Sequence, residues 1–188
     1  MQIKVNDVNA PTKNLENDHV HILRLIDVME HITGQEDPDV SDIEIIVYLI
    51  KNFADGLHHA KEENLLFPLM AERGFSTSQG PIAVMLSEHA QGRSFVRGMT
   101  ENITSYKTGN EGALIGLYEN MNGYAELLRK HISKENNILF RMADKAFTES
   151  DQLSLVASFD KTEDEHFSSS DKLKYTDQIE RLAARYNI

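Results

Sequence analysis

The chain has no cysteine at any of its 188 positions. That absence rules out disulfides, iron–sulfur ligation and thiolate zinc sites, leaving histidine and carboxylate as the strong metal ligands on offer. Long apolar runs are missing too: no stretch approaches the ~20 apolar residues of a membrane helix, and the N-terminus lacks the basic and apolar blocks of a signal peptide. A soluble, cytoplasmic protein with no membrane partner is expected. Clustered basic residues are the third absence. Thirty acidic side chains stand against 19 basic ones, a formal charge of -11, and the scattered cations give no surface for nucleic acid. The length suits one domain with a real core and is too short for two large ones.

What is present is a repeat. His58-His59-Ala60-Lys61-Glu62-Glu63-Asn64-Leu65-Leu66-Phe67 returns as His131-Ile132-Ser133-Lys134-Glu135-Asn136-Asn137-Ile138-Leu139-Phe140, with a constant offset of 73. The recurring element is His-x-x-x-Glu followed by an apolar patch, and four-residue spacing puts both side chains on one helical face. A shorter repeat accompanies it. Asp18-His19 and Glu88-His89 lie 70 residues apart, each some forty residues before a His-x-x-x-Glu pair. The sum is four imidazoles and two carboxylates (His19, His58, Glu62, His89, His131 and Glu135), a set suited to two transition-metal ions.

Apolar periodicity makes the chain all-α. Residues 1–13 read as a lead-in, and a first helix runs from about Asn14 to Thr33, stopped by Gly34. Ser41-Asp42-Ile43-Glu44 has the form of a capping box opening a second helix, which Pro68 should bend or break near the Asn64 carbonyl. The third begins after Gly80 with Pro81 at its first position and closes at Gly109; Gly92 and Gly98 suggest close helix packing. The fourth, about Glu111 to Ala146, carries the stripe Leu114, Leu117, Met121, Tyr124, Leu128, His131, Glu135, Ile138 and Met142, so His131 and Glu135 face inward. Residues 150–188 form a helical extension, about Asp151 to Thr162 and Ser170 to Arg185, packed on the bundle (14–149) through Leu173, Ile179, Leu182 and Tyr186.

A lone His-x-x-x-Glu pair is usually an ordinary surface interaction. Duplication with matched Leu and Phe argues otherwise, although a duplicated hairpin with hydrogen-bonded core histidines would share the spacing. Within the second helix His59 and Glu63 have the same spacing as His58 and Glu62. Neighbours on a helix point about 100° apart, and positions 132 and 136 are Ile and Asn, so the repeat selects His58 and Glu62. His59 and Glu63 are then a flanking, solvated or supporting pair, and His21, His31 and His166 are surface residues.

The pattern His-His-x-Lys-Glu-Glu-x-x-Leu-Phe-Pro and a second His-x-x-x-Glu, each preceded by an acidic-His pair, resemble the hemerythrin-like, or HHE cation-binding, family over about residues 14–146. The resemblance implies an up-down-up-down four-helix bundle holding a non-haem di-iron centre. His19, His58, His89 and His131 would be terminal ligands and Glu62 and Glu135 the bridges. Oxygen-carrying members have a fifth histidine one turn after the third-helix ligand, where this chain has Arg93. The set is more similar to that of the iron–sulfur-cluster repair proteins and the iron-sensing F-box protein.

The expected cofactor is therefore two iron ions, with zinc ranked below iron. The expected partner is a small diatomic or peroxide ligand, met at an open position beside an apolar lining of Phe53, Leu65, Leu128 and Ile138. The favoured activity is sensing, scavenging or reducing dioxygen, peroxide or nitric oxide. Iron storage or delivery, or reversible dioxygen binding without turnover, is the alternative, and a zinc-filled structural bundle the third reading.

Overall fold

The computed structural model describes residues 10–166 and 169–188; residues 1–9 of the expected lead-in, part of the turn at Ser168 and the side chain of His166 lie outside the described residues. All described secondary structure is helical. Helix α1 is Pro11–Ile32, starting three residues earlier than expected because Pro11 takes a first-turn position where no amide is needed. Helix α2 is a continuous run of four segments, Val40–Leu49, Ile50–His59, Glu62–Leu66 and Phe67–Glu72. Helix α3 is Gly80–Lys107, and α4 joins Ala113–Lys134, Glu135–Leu139 and Phe140–Ala146. Two further helices follow, α5 (Glu149–His166) and α6 (Ser169–Arg185).

Two local expectations are corrected. The cap of α2 is Asp39, whose carboxylate accepts from the Ser41 amide at 2.9 Å and hydroxyl at 2.6 Å, while Glu44 pairs with Lys107 instead of closing a box. Pro68 does not break α2: the turn before it, Glu62–Leu66, widens to π-helical bonding, with Phe67 N–H donating to Glu62 O. The same widening occurs at Glu135–Leu139, where Phe140 N–H donates to Glu135 O and position 141 is arginine. Proline is thus not its cause. Gly74 and Gly109 do end α2 and α3 at positive φ, +93° and +98°.

The four long helices alternate in direction around a polar layer that divides the core in two. On one side lie Ile26, Met29, Ile46, Phe53, Met99, Leu117 and Met121; on the other Leu15, Leu66, Phe67, Met70, Ile82, Leu139 and Phe140. The α3–α4 pair is packed through a reciprocal motif. Asn102 Nδ2 donates to Gly98 O and Asn120 Nδ2 to Gly116 O, and each asparagine covers the glycine of the opposite helix. The extension spans both cores, α5 contributing Leu155 and Phe159 to one and α6 contributing Tyr175, Ile179, Leu182 and Ala183 to the other. Leu173, expected in that contact, is 71% exposed.

Candidate metal centre

Each long helix crosses the polar layer at its predicted residue, and His19, His58, Glu62, His89, His131 and Glu135 are all at most 1% exposed. They fall into two overlapping groups. His19, His58, Glu62 and Glu135 offer ligand atoms within 4.8 Å of one another, and so do His59, Glu62, His89 and His131. His19 Nε2 faces His58 Nε2 at 2.9 Å, and His89 Nε2 faces His131 Nε2 at 3.1 Å. Between these two facing pairs sit the carboxylates. Glu135 lies 3.2 Å from His19 Nε2 and 3.1 Å from His131 Nε2; Glu62 lies 3.7 Å from His58 Nε2 and 3.5 Å from His89 Nε2. Each carboxylate therefore reaches an imidazole of both pairs, the placement a bridging ligand requires.

The π turns begin at these two glutamates. An i→i+5 turn displaces the residues after it by about one position relative to an α-helix, which is why Leu139 is buried while Ile138, expected to line the site, is 52% exposed. Phe53 and Leu128 are buried as expected, and Leu65 is half-buried.

Every outward-facing Nδ1 has a designated neighbour, and these follow the repeat. His19 Nδ1 lies 2.7 Å from Asn136 Oδ1, and His89 Nδ1 lies 2.7 Å from Glu63 Oε1; Glu63 and Asn136 are 73 residues apart. Likewise Asp18 lies 3.6 Å from His58 Nδ1 and Glu88 2.9 Å from His131 Nδ1. The lysine three residues after each of those histidines, Lys61 or Lys134, bonds the same acid. So the acidic residue before each lone histidine serves the histidine of another helix. Sequence reading noticed those acids and gave them no task; their fixed position beside the repeat was the available signal. At His19, His89 and His131 the contact is at hydrogen-bond distance and fixes the ring's orientation and tautomer, whereas Asp18 faces His58 Nδ1 without a hydrogen bond.

The electrostatics suit a cation. Burial and the neighbouring Glu135 push the Glu62 carboxyl well above the usual range. Burial works on Glu135 in the same sense, but His131 and His19 hold it well below that range. Against the effect of its own burial, His131 is lifted to about 9 by Glu135 and Glu88. Burial and His19 push His58 well below its ordinary value. Despite these proximities, neither oxygen of Glu62 or Glu135 makes a hydrogen bond. Four bare carboxylate oxygens inside a protein cost free energy that metal coordination would remove, so the residues fit a metal pair.

His59 departs from expectation. It is 4% exposed, stacked on His89 with ring centroids 3.9 Å apart, and belongs to the second donor group. The 100° rule assumed one centre and a uniform α-helix. With π bonding across Ile50–His59, both neighbours turn inward: His58 joins the His19 group and His59 packs face to face on His89. Glu63 is not a free surface group either, being held by His89 and Arg93. His31 is exposed; His21 is half-buried, 3.6 Å from Glu180.

The model of the hemerythrin HHE cation binding domain matches residues 10–143. The chain belongs to that family. It is 32% identical over 130 residues to a probable iron–sulfur cluster repair protein of Haemophilus influenzae, covering 63% of this chain and 54% of the relative. The iron–sulfur cluster repair proteins of Escherichia coli O157:H7 and Yersinia pestis are 34% identical over 88 residues and 38% over 92, each match covering 46% of this chain and 40% of the relative. The chain thus spans about half the length of the curated relatives it matches. No solved structure matches it. None of the described helices is long and apolar enough to cross a membrane.

Proposed function

We propose that this hemerythrin-family chain holds a non-haem di-iron centre in His19, His58, Glu62, His89, His131 and Glu135, and uses it to sense, scavenge or reduce a small oxidant. The observation that carries the reading is the layer of bare carboxylate oxygens between two pairs of facing imidazole nitrogens. Imidazole with carboxylate is a donor set iron accepts, and bound iron would supply affinity for dioxygen, peroxide or nitric oxide together with reversible one-electron chemistry.

The chain's own residues restrict what reaches that layer. A cavity of about 440 Å³ ends on His59 and His89, with Ile50, Val96 and Tyr124 among its walls. Hydrocarbon makes up most of its surface, which suits small weakly hydrated molecules, and Lys51, Asp55, Arg93, Arg97 and Glu101 also line it. Phe67 and Phe140 stack against His89 and His19 on the far side, 6.0 and 5.6 Å between centroids, and help exclude water. Burial of all six donors favours chemistry at a retained metal over iron delivery. Relatives named for iron–sulfur cluster repair support a setting of oxidative or nitrosative stress, and participation in such repair is part of the proposal.

The test is rapid mixing of the reduced, iron-loaded protein with dioxygen, hydrogen peroxide and nitric oxide in separate runs. Catalytic consumption of one of them is expected. Stoichiometric reversible binding without turnover, or release of iron on mixing, would replace this reading with the carrier or delivery one.

A further inference from the structure

The cavity that ends on His59 and His89 runs outward between α2 and α3, and its charged groups are unevenly engaged. One turn from His89, Arg93 is already neutralised: its guanidinium donates to Asp55 Oδ1 at 2.9 Å and to Glu63 Oε1 at 2.7 Å. One turn further out the balance changes. Among the described residues Arg97 makes no ion pair, and Lys51 donates only to the neutral hydroxyl of Thr100, at 3.0 Å. Glu101 is the one carboxylate lining that end, so the two uncompensated cations outnumber it. In a chain of formal charge -11, a cationic mouth on a mostly hydrocarbon cavity is a local reversal of sign.

The space behind that mouth is kept at a cost. Gly92 lines it from the interior of α3, where glycine is roughly 1 kcal/mol worse than alanine. A Cβ there would meet Tyr124 Cε2 at 3.5 Å and Leu128 Cδ2 at 3.8 Å, ordinary contacts. Close helix packing therefore requires glycine at position 98 but not at 92, and the missing side chain at 92 leaves the cavity wider. From His89 to Arg97 the helix rises about 12 Å. That is the length of an extended acyl chain of about eight to ten carbons.

We propose that this cavity binds an amphipathic monocarboxylic acid, its carboxylate held by Lys51 and Arg97 and its hydrocarbon tail directed inward against the His59–His89 stack. Guanidinium presents paired donors that match a carboxylate, and the ammonium adds a second charge. Val96 and Tyr124 supply the apolar walls the tail needs. A seated tail closes this approach to the polar layer. The site is a property of the cavity alone and is independent of which metal the layer holds.

The experiment is calorimetric titration of the metal-free full chain, in which a carboxylate has no metal to bind, with straight-chain carboxylates of increasing length and with 1-octanol. Affinity is expected to rise about two- to fourfold per methylene and to level off near ten carbons. Octanoate should bind about tenfold more tightly than octanol. Lys51→Met and Arg97→Gln should each weaken octanoate about three- to tenfold and leave octanol unchanged, while Gly92→Leu, which fills the cavity, should weaken both. Octanoate should also shift the ring resonances of His59 and His89 in NMR spectra. Octanoate binding no tighter than octanol, or undiminished in both cation variants, would overturn the carboxylate assignment. Affinity independent of chain length, or histidine resonances unmoved at saturation, would overturn the placement of the tail.

Discussion

Lys61 Nζ lies 2.5 Å from Asp18 Oδ2, and neither side chain is more than 3% exposed. This buried pair ties α1 to α2 one residue from His19 and three from His58. It also anchors the extension, since Lys61 donates to Glu163 at 2.9 Å and Lys172 lies 3.2 Å from Asp18. Removing one partner of a buried pair strands the other's charge. Lys61→Met should therefore cost about 3 kcal/mol of stability, at the lower end for such pairs because Lys172 still faces Asp18. The double variant Lys61→Met/Asp18→Asn should recover part of that loss. Urea unfolding of the single and double variants measures it, and simple additivity would deny the coupling.

The same pair sets an acid dependence. Burial alone would raise Asp18, but the nearby His58 and the charges of Lys61 and Lys172 hold it far below its ordinary 3.8. A depressed folded value means the contribution is fully present above the unfolded value and is lost as pH falls below it. Wild-type stability should thus drop as pH is lowered past about 4, and Asp18→Asn should flatten that slope. Parallel pH profiles for the two proteins would show that Asp18 is not responsible.

The α3–α4 contact depends on glycine at two places. A Cβ on Gly98 would overlap the Asn120 amide, and one on Gly116 would lie 2.6 Å from Asn102 Oδ1. Alanine gains roughly 1 kcal/mol of helix propensity over glycine, yet overpacking typically costs about 1–3 kcal/mol. Gly98→Ala and Gly116→Ala should each lower the melting temperature on balance. A rise in either would mean the asparagines rotate away freely.

Metal loading should release protons. In the metal-free protein His131, lifted to about 9 by Glu135 and Glu88, carries a proton at neutral pH, and burial shifts Glu62 toward its protonated form. Ligation requires those lone pairs. Affinity should therefore fall as pH falls, and calorimetric loading at neutral pH should give heats that vary with the ionisation enthalpy of the buffer. Heats independent of buffer would place the metal elsewhere.

How much was legible follows from what a repeat can carry. The 73-residue offset encodes residue type, so it located His58, Glu62, His131 and Glu135, and the 70-residue one located His19 and His89. It could not encode hydrogen-bond register. The π turns at Glu62–Leu66 and Glu135–Leu139 exchange inward for outward positions after each glutamate, so Ile138 was placed inside and Leu139 took its place. The burial of His59 was missed for the opposite reason: it has no counterpart in the repeat, which is therefore silent on where it packs. The Nδ1 partners join residues on different helices, such as Asn136 with His19, and only packing brings them together.

The central claim is a pair of irons in one buried layer. Metal analysis and Mössbauer spectroscopy on protein from iron-replete cells test it together. The account predicts two irons per chain, magnetically coupled through shared carboxylates. Iron well below one per chain, or bound zinc that supplied iron fails to displace, would contradict it.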